Sequence, residues 1–287
     1  MITAIEHPAV VEPARFLERL GYAVTVVGCD AHGFVHPSSI ESALQPQTKL
    51  VSVMHANNEI GTIQPIRQIA EICHGRGALL HTDASQSVGK IPTYVDQLDV
   101  DLLTVDCHKF YGPKGVGALF VREGVSIEPL LHGASHERGI RGGTENTPYI
   151  VGMGQAAHLA ANCIDESSES MTKLRNRLND RLANGIPGLQ VNGLKAARLP
   201  NTLSVVFPGV SGQDILKRVP EICASTGSAC HSSGLVSSPT LSAMGMSADE
   251  MSGAVRFCVG WYSSEEEVDR AANLLIDAWE NLAGSIF

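Results

Sequence analysis

A single lysine follows an apolar run of the sequence in a setting that suits covalent chemistry. The segment "LLTVDCHKFYGPKG" begins as a strand-like apolar run, reaches Lys109, and then enters a Gly/Pro-rich turn. A lysine at the end of a buried strand can form a Schiff base with an aldehyde once burial and neighbouring cations lower its pKa. Most lysines are solvated surface residues, so Lys109 alone leaves the plain surface interpretation open.

An aspartate occupies the corresponding place one strand earlier. Asp83 ends the run "ALLHTD" and is followed by "ASQ". A carboxylate that faces a pyridinium nitrogen keeps the ring of pyridoxal 5'-phosphate (PLP) protonated, and this allows the ring to take up negative charge. An aspartate after a strand is also commonly a helix cap or a turn former. Asp83 and Lys109 together raise PLP chemistry as a hypothesis.

One cysteine differs from others in its surroundings. Cys230 lies in the Ser/Gly-rich loop "STGSACHSSGLVSS", whereas Cys29, Cys163 and Cys258 lie in apolar sequence. An exposed thiol in a polar loop can ionise and attack, while a buried thiol is inert. The neighbouring His231 could favour the thiolate, or it could be a solvated loop histidine. The 7 cysteines form no CxxC pair, so we expect neither a disulfide framework nor a zinc knuckle, and mostly buried thiols.

The elements that must position these residues alternate between strands and helices up to about residue 122. The strand-like runs are "ITAIEH", "YAVTVVGCD", "KLVSVMHA", "ALLHTDA", "DLLTVDC" and "VGALFVR". Helical patterns in "VVEPARFLERLG", "SSIESALQ" and "PIRQIAEICHGRG" separate the first of them. This alternation predicts an α/β fold with a mostly parallel sheet and helices on both faces. Polar residues at the strand ends should then line a ligand crevice.

A second pattern begins after a Gly-rich irregular segment over residues 123–148. A long helix is predicted from about Tyr149 to Ala183, followed by "LSVVFPG", a helix near "GQDILKRV", the run "VRFCVGW" and a final helix from Ser264. This part has the pattern of a smaller α+β unit. We therefore predict a large domain over residues 1–160 and a small C-terminal domain over residues 161–287.

Composition excludes several classes of function. A formal net charge of -9 gives no electrostatic footprint for nucleic acid or anionic membranes, so we expect small-molecule partners. No run approaches the ~20 apolar residues of a membrane span and no signal peptide is evident, so we expect a cytoplasmic protein. A metal protein built on the 11 histidines is disfavoured. Only His32/His36 and His132/His136 have i, i+4 spacing, and both pairs lie in loop-like sequence.

Six segments together resemble a known enzyme group. They are "MHANNEIGTIQPI", "HTDASQSVGK", "CHKFYGPKGVGALFVR", "HERGIRGGTENTP", "RLPNTLS" and "STGSACHS". In this order, and over nearly the whole chain, they are similar to the cysteine desulfurase and selenocysteine lyase group of the class-V aminotransferase family. The resemblance implies the fold type I of PLP enzymes, with a PLP-binding large domain. The pairing of "GTENTP" with "ACHS" is most similar to the selenocysteine lyase branch.

The resemblance implies roles for residues around the cofactor. Lys109 would form the Schiff base and later move the Cα proton of the substrate, and Asp83 would pair with the pyridinium nitrogen. Asn58 and Gln86 would hydrogen-bond near the ring hydroxyl, with Asn58 also close to the substrate. His7 would stack on the ring and shuttle protons, although a histidine beside a proline is more often an ordinary loop residue.

It also implies roles for residues further from the ring. His108 would help to hold the phosphate, and Thr144 of one subunit would contact the cofactor phosphate of the other, which implies a homodimer. Arg256 would bind the substrate carboxylate through two parallel N–H bonds. Cys230 would accept sulfur or selenium before its transfer, in some members, to an acceptor protein. The expected reaction converts L-cysteine or L-selenocysteine into L-alanine.

Departures from the family pattern leave a second function open. The family has an opening phosphate-binding segment that this sequence is expected to lack. Asp106 stands where desulfurases usually have a phosphate-binding serine, Cys107 replaces a glycine, and Trp261 replaces an arginine of many members. A carboxylate near phosphate is repulsive, so we expect weak PLP binding by this chain. The alternative is a catalytically inactive homologue that acts as a binding or regulatory protein.

Overall fold

The computed structural model describes residues 1–226 and 238–284. Within these residues the first part of the chain forms a sheet of six strands in the order β2-β1-β3-β4-β5-β6. The strands are β1 (Ile2–Thr3), β2 (Val26–Val27), β3 (Leu50–Ser52), β4 (Leu79–Asp83), β5 (Leu102–Asp106) and β6 (Gly117–Val121). The first five are parallel, and β6 runs antiparallel to β5 at the edge. The predicted mostly parallel sheet is confirmed.

Short helices connect these strands. They are α1 (Pro8–Arg19), α2 (Pro37–Ala43), α3 (Ile66–Gly75) and α4 (Val95–Leu98). α3 buries Ile66, Ile69 and Cys73 along one side, as its sequence periodicity predicts. That side packs in the main core against Leu80 of β4 and Val51 of β3, which are paired in register. This core fixes one face of the sheet and so directs alternate β4 and β5 side chains to the opposite face.

The second part of the chain is built on a smaller antiparallel sheet. The helix α5 (Thr147–Gly185) leads to β7 (Gln190–Val191) and β8 (Thr202–Val206), followed by α6 (Gly212–Arg218), α7 (Pro239–Ala243), α8 (Ala248–Ser252), β9 (Ala254–Cys258) and α9 (Glu265–Ala283). In the described residues the strand order is β7-β8-β9. Helices α5 and α9 cover this sheet with a core that includes Leu178, Leu203 and Leu275.

Helix ends follow the sequence signals closely. The hydroxyl of Ser264 accepts from the Glu267 N–H while the Glu267 carboxylate accepts from the Ser264 N–H, which caps α9 where the sequence predicts its start. His7 caps α1 by accepting from the Ala9 N–H at Nδ1. The predicted domain boundary at residue 160 falls inside α5, which continues from one part to the other. The division into 1–160 and 161–287 stays a prediction.

The expectation about cysteine burial is wrong in part. Cys73 and Cys107 are buried, but Cys223 and Cys258 are exposed, and Cys29 and Cys163 are intermediate. Cys258 is the last residue of β9, where Phe257 points into the core and the next side chain points to the opposite face of the strand. No helix in the described residues is long and apolar enough to cross a bilayer.

Candidate active site

The carboxyl edge of the large sheet gathers most of the residues singled out from the sequence. His7 lies four residues beyond β1, Asn58 lies beyond β3, Asp83 ends β4, and Lys109 lies three residues beyond β5. The carboxyl ends of parallel strands meet at the same edge, which brings segments distant in sequence together. Side-chain and main-chain contacts then connect these segments to one another.

Asp83 is held rigidly at the end of its strand. It is 9% exposed, and its Oδ1 accepts from the Ser85 N–H at 2.9 Å. Its main-chain oxygen accepts from the His55 N–H at 2.9 Å, and in the sheet it pairs with Thr104 of β5. No contact among the described residues uses its second carboxylate oxygen. Asp83 can therefore offer that oxygen to a protonated ring nitrogen.

Lys109 lies in a single 3₁₀ turn, Cys107–Phe110, that follows β5 directly. The turn is amphipathic: Cys107 and Phe110 are buried, while His108 and Lys109 are exposed. Tyr111 ends it in the left-handed conformation at φ 69°. Gly112 comes next, where an added Cβ would lie 2.1 Å from the Sγ of Cys107. The buried side of the turn thus fixes the main chain and leaves the Lys109 amine facing outward.

A second lysine supports this turn from behind, and the sequence alone did not reveal it. Lys90 is 9% exposed, and its Nζ donates to the main-chain oxygens of Gln86 at 3.0 Å and of Lys109 at 3.1 Å. The pKa of Lys90 is lowered to about 8, mainly by burial; Cys258 acts in the opposite direction, and the charge of Lys109 contributes to the lowering. Lys90 joins the two segments that carry Gln86 and Lys109.

Arg256 reaches the same edge from the smaller sheet. Its Nη1 donates to the main-chain oxygen of Asn58 at 2.9 Å. Its main chain pairs with Ser225 through an isolated bridge. Its Nε is buried and has no hydrogen-bond partner among the described residues. With Nη1 occupied, the Nε side of the guanidinium remains available for a carboxylate.

Two glutamates beside the site were also missed by sequence reasoning. Glu59 follows Asn58 and accepts a hydrogen bond from the Ser238 hydroxyl. Burial raises the pKa of Glu59, while hydrogen bonds from Ser238 and Thr240 and the charges of Arg256 and His7 act in the opposite direction. Ser238, which donates the hydrogen bond, and Arg256, whose charge acts on Glu59, both lie about 180 or more residues further along the chain. No local sequence pattern could therefore have indicated these interactions.

Glu6 precedes His7 and lies deeper still. Its Oε1 accepts from the Thr3 hydroxyl at 2.6 Å and from the Met54 N–H at 2.9 Å. Burial raises the pKa of Glu6 to about 8, and the charge of Asp83 raises it as well. Its Oε2 is buried without a hydrogen-bond partner in the described part of the chain, which agrees with a neutral carboxyl group.

The remaining sequence-predicted residues are placed differently. Cys230 and His231 lie outside the described residues. Thr144 is exposed, and none of the described contacts joins it to the cluster at the sheet edge. Asp106 is half-buried at the end of β5, paired with Gly117. The described residues contain no group of three or more His, Cys, Asp or Glu side chains that could hold a metal ion.

The donor set at this edge fits the ring and aldehyde of PLP. It offers an amine at Lys109, a buried carboxylate with a free oxygen at Asp83, amides at Asn58 and Gln86, and an exposed imidazole at His7. A lysine that forms a Schiff base and a carboxylate that pairs with the ring nitrogen are groups by which a protein binds and tunes PLP. The phosphate end is less well matched, because the carboxylate of Asp106 lies only two residues before His108 in the chain.

Comparisons with known proteins show the family to which the chain belongs. Residues 1–271 match the aminotransferase class-V family. The chain is 44% identical over 273 residues to the cysteine desulfurase IscS of Dictyoglomus turgidum, covering 94% of this chain and 69% of the relative. It is also 43% identical over 282 residues to a cysteine desulfurase of Nostoc, covering 98% of this chain and 70% of the relative. The chain therefore belongs to the aminotransferase class-V family, among the PLP-dependent cysteine desulfurases.

Solved structures give the same assignment of fold. A NifS-like protein superimposes with a TM-score of 0.88 at 39% identity, covering 98% of this chain and 74% of that chain. A structure described as SspA in complex with cysteine superimposes with a TM-score of 0.78 at 34% identity, covering 92% of this chain and 74% of that chain. The fold is that of the PLP-dependent NifS-like enzymes, as the sequence predicted.

Proposed function

We propose that the protein removes sulfur from L-cysteine, or selenium from L-selenocysteine, and releases L-alanine. The observation that carries this proposal is the Arg256–Asn58 contact, which brings the guanidinium to the sheet edge that holds Asp83 and Lys109, with an Nε that has no hydrogen-bond partner in the described residues. A free amino acid needs its carboxylate bound and its amine close to a reactive lysine. The cysteine complex of the related SspA structure supports an amino acid of this kind as the substrate.

Each residue of the cluster has a defined task in this proposal. PLP, when bound, supplies an electron sink for the charge that develops at Cα. Asp83 holds the proton on the ring nitrogen, Asn58 and Gln86 donate hydrogen bonds near the ring hydroxyl, and His108 helps to hold the phosphate. Lys109 carries the cofactor and takes the Cα proton. Arg256 orients the substrate through its Nε side.

Sulfur transfer requires a nucleophile and a proton donor. Cys230 as the thiolate attacks the substrate sulfur, an S–S bond forms, and the Cβ–S bond breaks. The electron pair of the broken bond stays with the carbon skeleton, which takes up a proton, delivered in this proposal by His7 or Lys109. L-alanine then leaves, and the sulfur on Cys230 passes to an acceptor. For selenocysteine, selenium can leave without attack by Cys230, and Cys230 then serves to discriminate between selenocysteine and cysteine.

A homodimer forms part of the proposal. Thr144 would reach the cofactor phosphate of the partner subunit, which requires its own segment to lie at a subunit interface. Large apolar side chains in the flanking sequence support such an interface, since Leu130 is 89% exposed, Val151 65%, and Tyr149 44%. Exposed apolar side chains become buried when a subunit interface covers them.

The test supplies both amino acids to the parent chain, Lys109→Ala and Cys230→Ala, and measures alanine, sulfide and selenide. We expect Lys109→Ala to lose all turnover. Loss of sulfide with survival of selenide in Cys230→Ala selects the lyase branch, while loss of both selects the desulfurase branch. Borohydride reduction after PLP addition, followed by peptide mapping, should give a pyridoxyl adduct at Lys109.

One observation favours the second candidate, an inactive homologue with a binding role. Asp106 ends β5 beside His108, where a carboxylate repels the cofactor phosphate. If the parent chain gives no adduct at Lys109 at millimolar PLP and no turnover, the desulfurase proposal fails and this candidate replaces it. If Asp106→Ser then restores the adduct, the aspartate is the cause.

A further inference from the structure

We propose that Lys90 is a positioning residue whose buried ammonium group holds the main chains of Gln86 and Lys109 at a fixed separation, so that both side chains meet one bound PLP. The inference rests on the proposed function, because it concerns how the Lys109 site is assembled. Its basis is geometric: one Nζ donates to both main-chain oxygens, at 3.0 Å and 3.1 Å.

The Lys109 carbonyl needs this donor because of its local sequence. In a continuing helical turn, the N–H of residue 112 or 113 would donate to it. The Gly112 N–H instead donates to the Cys107 oxygen at 3.1 Å, and Pro113 has no N–H. The turn that carries Lys109 therefore ends with an unmet main-chain acceptor, and Lys90 supplies the hydrogen bond from a different segment.

A second observation shows that the two segments are in direct contact. Gly89 adopts a positive φ of 75°, and an added Cβ there would lie 2.9 Å from the Cβ of Phe110 and 3.3 Å from that of Ala160. Phe110 is 2% exposed and adjoins Lys109. The chain at Gly89 and Lys90 is thus pressed against the turn, and the hydrogen bonds of Lys90 complete an existing packed contact.

The electrostatic setting gives Lys90 a purpose beyond packing. Burial of an ammonium group without an opposite charge is costly, and no carboxylate pairs with Lys90 among the described residues. An apolar residue of similar length would avoid that cost, yet it would leave two partly buried carbonyls without their donor. The arrangement is explained if the separation of Gln86 and Lys109 must be held within a fraction of an ångström for the cofactor to meet both.

The test removes the ammonium donor of Lys90 with a side chain of similar length, and compares this change with two further variants. Lys90→Met removes both hydrogen bonds, Lys90→Gln keeps a shorter donor, and Lys49→Met makes the same chemical change at an exposed lysine. PLP affinity is measured by absorbance titration, and the geometry of the bound cofactor by visible circular dichroism. We expect Lys90→Met to bind PLP about tenfold or more weakly with a reduced dichroic band, Lys90→Gln to be intermediate, and Lys49→Met to match the parent.

Amide hydrogen exchange of the cofactor-free chain separates this proposal from the proposed function. We expect faster exchange at Tyr111 and Gly112 in Lys90→Met, with unchanged exchange in β8. Unchanged exchange at those amides, or parent-like PLP affinity and dichroism in a folded Lys90→Met, overturns the role of Lys90. If Lys90→Met does not fold, the comparison of Lys90→Gln with the parent decides by the same criteria. A parent chain that gives no Lys109 adduct defeats the proposed function, while the exchange result still decides the role of Lys90.

Discussion

Arg256 of β9 and Asn58, which follows β3, are joined by a 2.9 Å hydrogen bond from the guanidinium Nη1 to a main-chain oxygen. The bond connects the small sheet to the carboxyl edge of the large one, between residues 198 positions apart. It also orients the guanidinium, because a planar group fixed at one nitrogen has a defined free edge. The free edge includes the buried Nε.

We expect Arg256→Lys to raise the KM for the amino acid roughly ten- to hundredfold, with a smaller effect on kcat. An ammonium group cannot make two parallel bonds to a carboxylate, and loss of one charge-assisted bond is worth about 1.5–3 kcal/mol. Steady-state kinetics measure the effect. Arg218→Lys, the same change at an exposed arginine, serves as the control and should leave KM unchanged. An unchanged KM in Arg256→Lys would remove Arg256 from substrate binding.

Asp83→Asn tests the partner of the ring nitrogen. The amide can still accept from the Ser85 N–H through its oxygen, so the local turn should survive. The negative charge is lost, and with it a charge-assisted hydrogen bond, so we expect kcat to fall roughly ten- to hundredfold or more. The absorbance spectrum of the PLP-loaded variant and its thermal unfolding should be recorded with the rate. A folded, PLP-loaded variant with parental kcat would show that Asp83 has a purely structural role.

The sequence predicts the residues of this site whose roles are local and misses those whose roles are not. Asp83 and Lys109 follow apolar runs directly, so their place at the sheet edge can be inferred from strand ends. Lys90, by contrast, acts through the main-chain oxygen of a residue 19 positions away. No side-chain pattern indicates such a contact, since any residue offers the same carbonyl group.

In the fold, too, the sequence predicts features that depend on neighbouring residues and misses features that depend on distant contacts. The alternation of strands and helices predicts the large sheet and the start of α9, because each depends on a run of neighbouring residues. The expectation of mostly buried thiols fails at Cys258, because the face to which this side chain points depends on how β9 pairs and packs in the fold. The pairing and packing of a strand depend on tertiary contacts, so the sequence of the strand alone does not predict them.

His55 should make the protein sensitive to acid. Burial lowers the pKa of His55 from 6.5 to about 4, and its Nδ1 lies 2.9 Å from the Ser87 hydroxyl. The unfolded chain binds this proton more readily than the folded one, so stability is lost as the pH falls from 6.5 to 4. We expect a loss of about 3 kcal/mol from this group, measured by urea unfolding across that range. In His55→Asn the free energy of unfolding should depend less on pH over this range, whereas His158→Asn, at an exposed position, should behave like the parent. The same pH dependence in both variants and the parent would contradict the assignment to His55.

Glu6 should make the protein less stable as the pH rises, in contrast to His55, which makes it less stable as the pH falls. Because burial raises the pKa of Glu6 from 4.5 to about 8, the folded chain holds a proton that the unfolded chain releases. Its contribution to stability is complete below pH 4.5 and is lost as the pH rises to about 8. Glu6→Gln keeps an acceptor for Thr3 and Met54 and cannot ionise, so its stability relative to the parent should increase across this range.

Urea unfolding of Glu6→Gln and the parent at closely spaced pH values measures this difference directly. Glu123→Gln, at an exposed glutamate, is the matched control and should run parallel to the parent. Asp83 raises the pKa of Glu6 in the folded chain through its charge, so in an Asp83→Asn background the loss of stability should end at a lower pH and be smaller in total. Parallel curves for Glu6→Gln and the parent would mean that the buried carboxyl ionises at the same pH as in the unfolded chain. The orphaned Oε2 argues against that state, because an ionised oxygen in a dry interior requires a donor that the described residues do not provide.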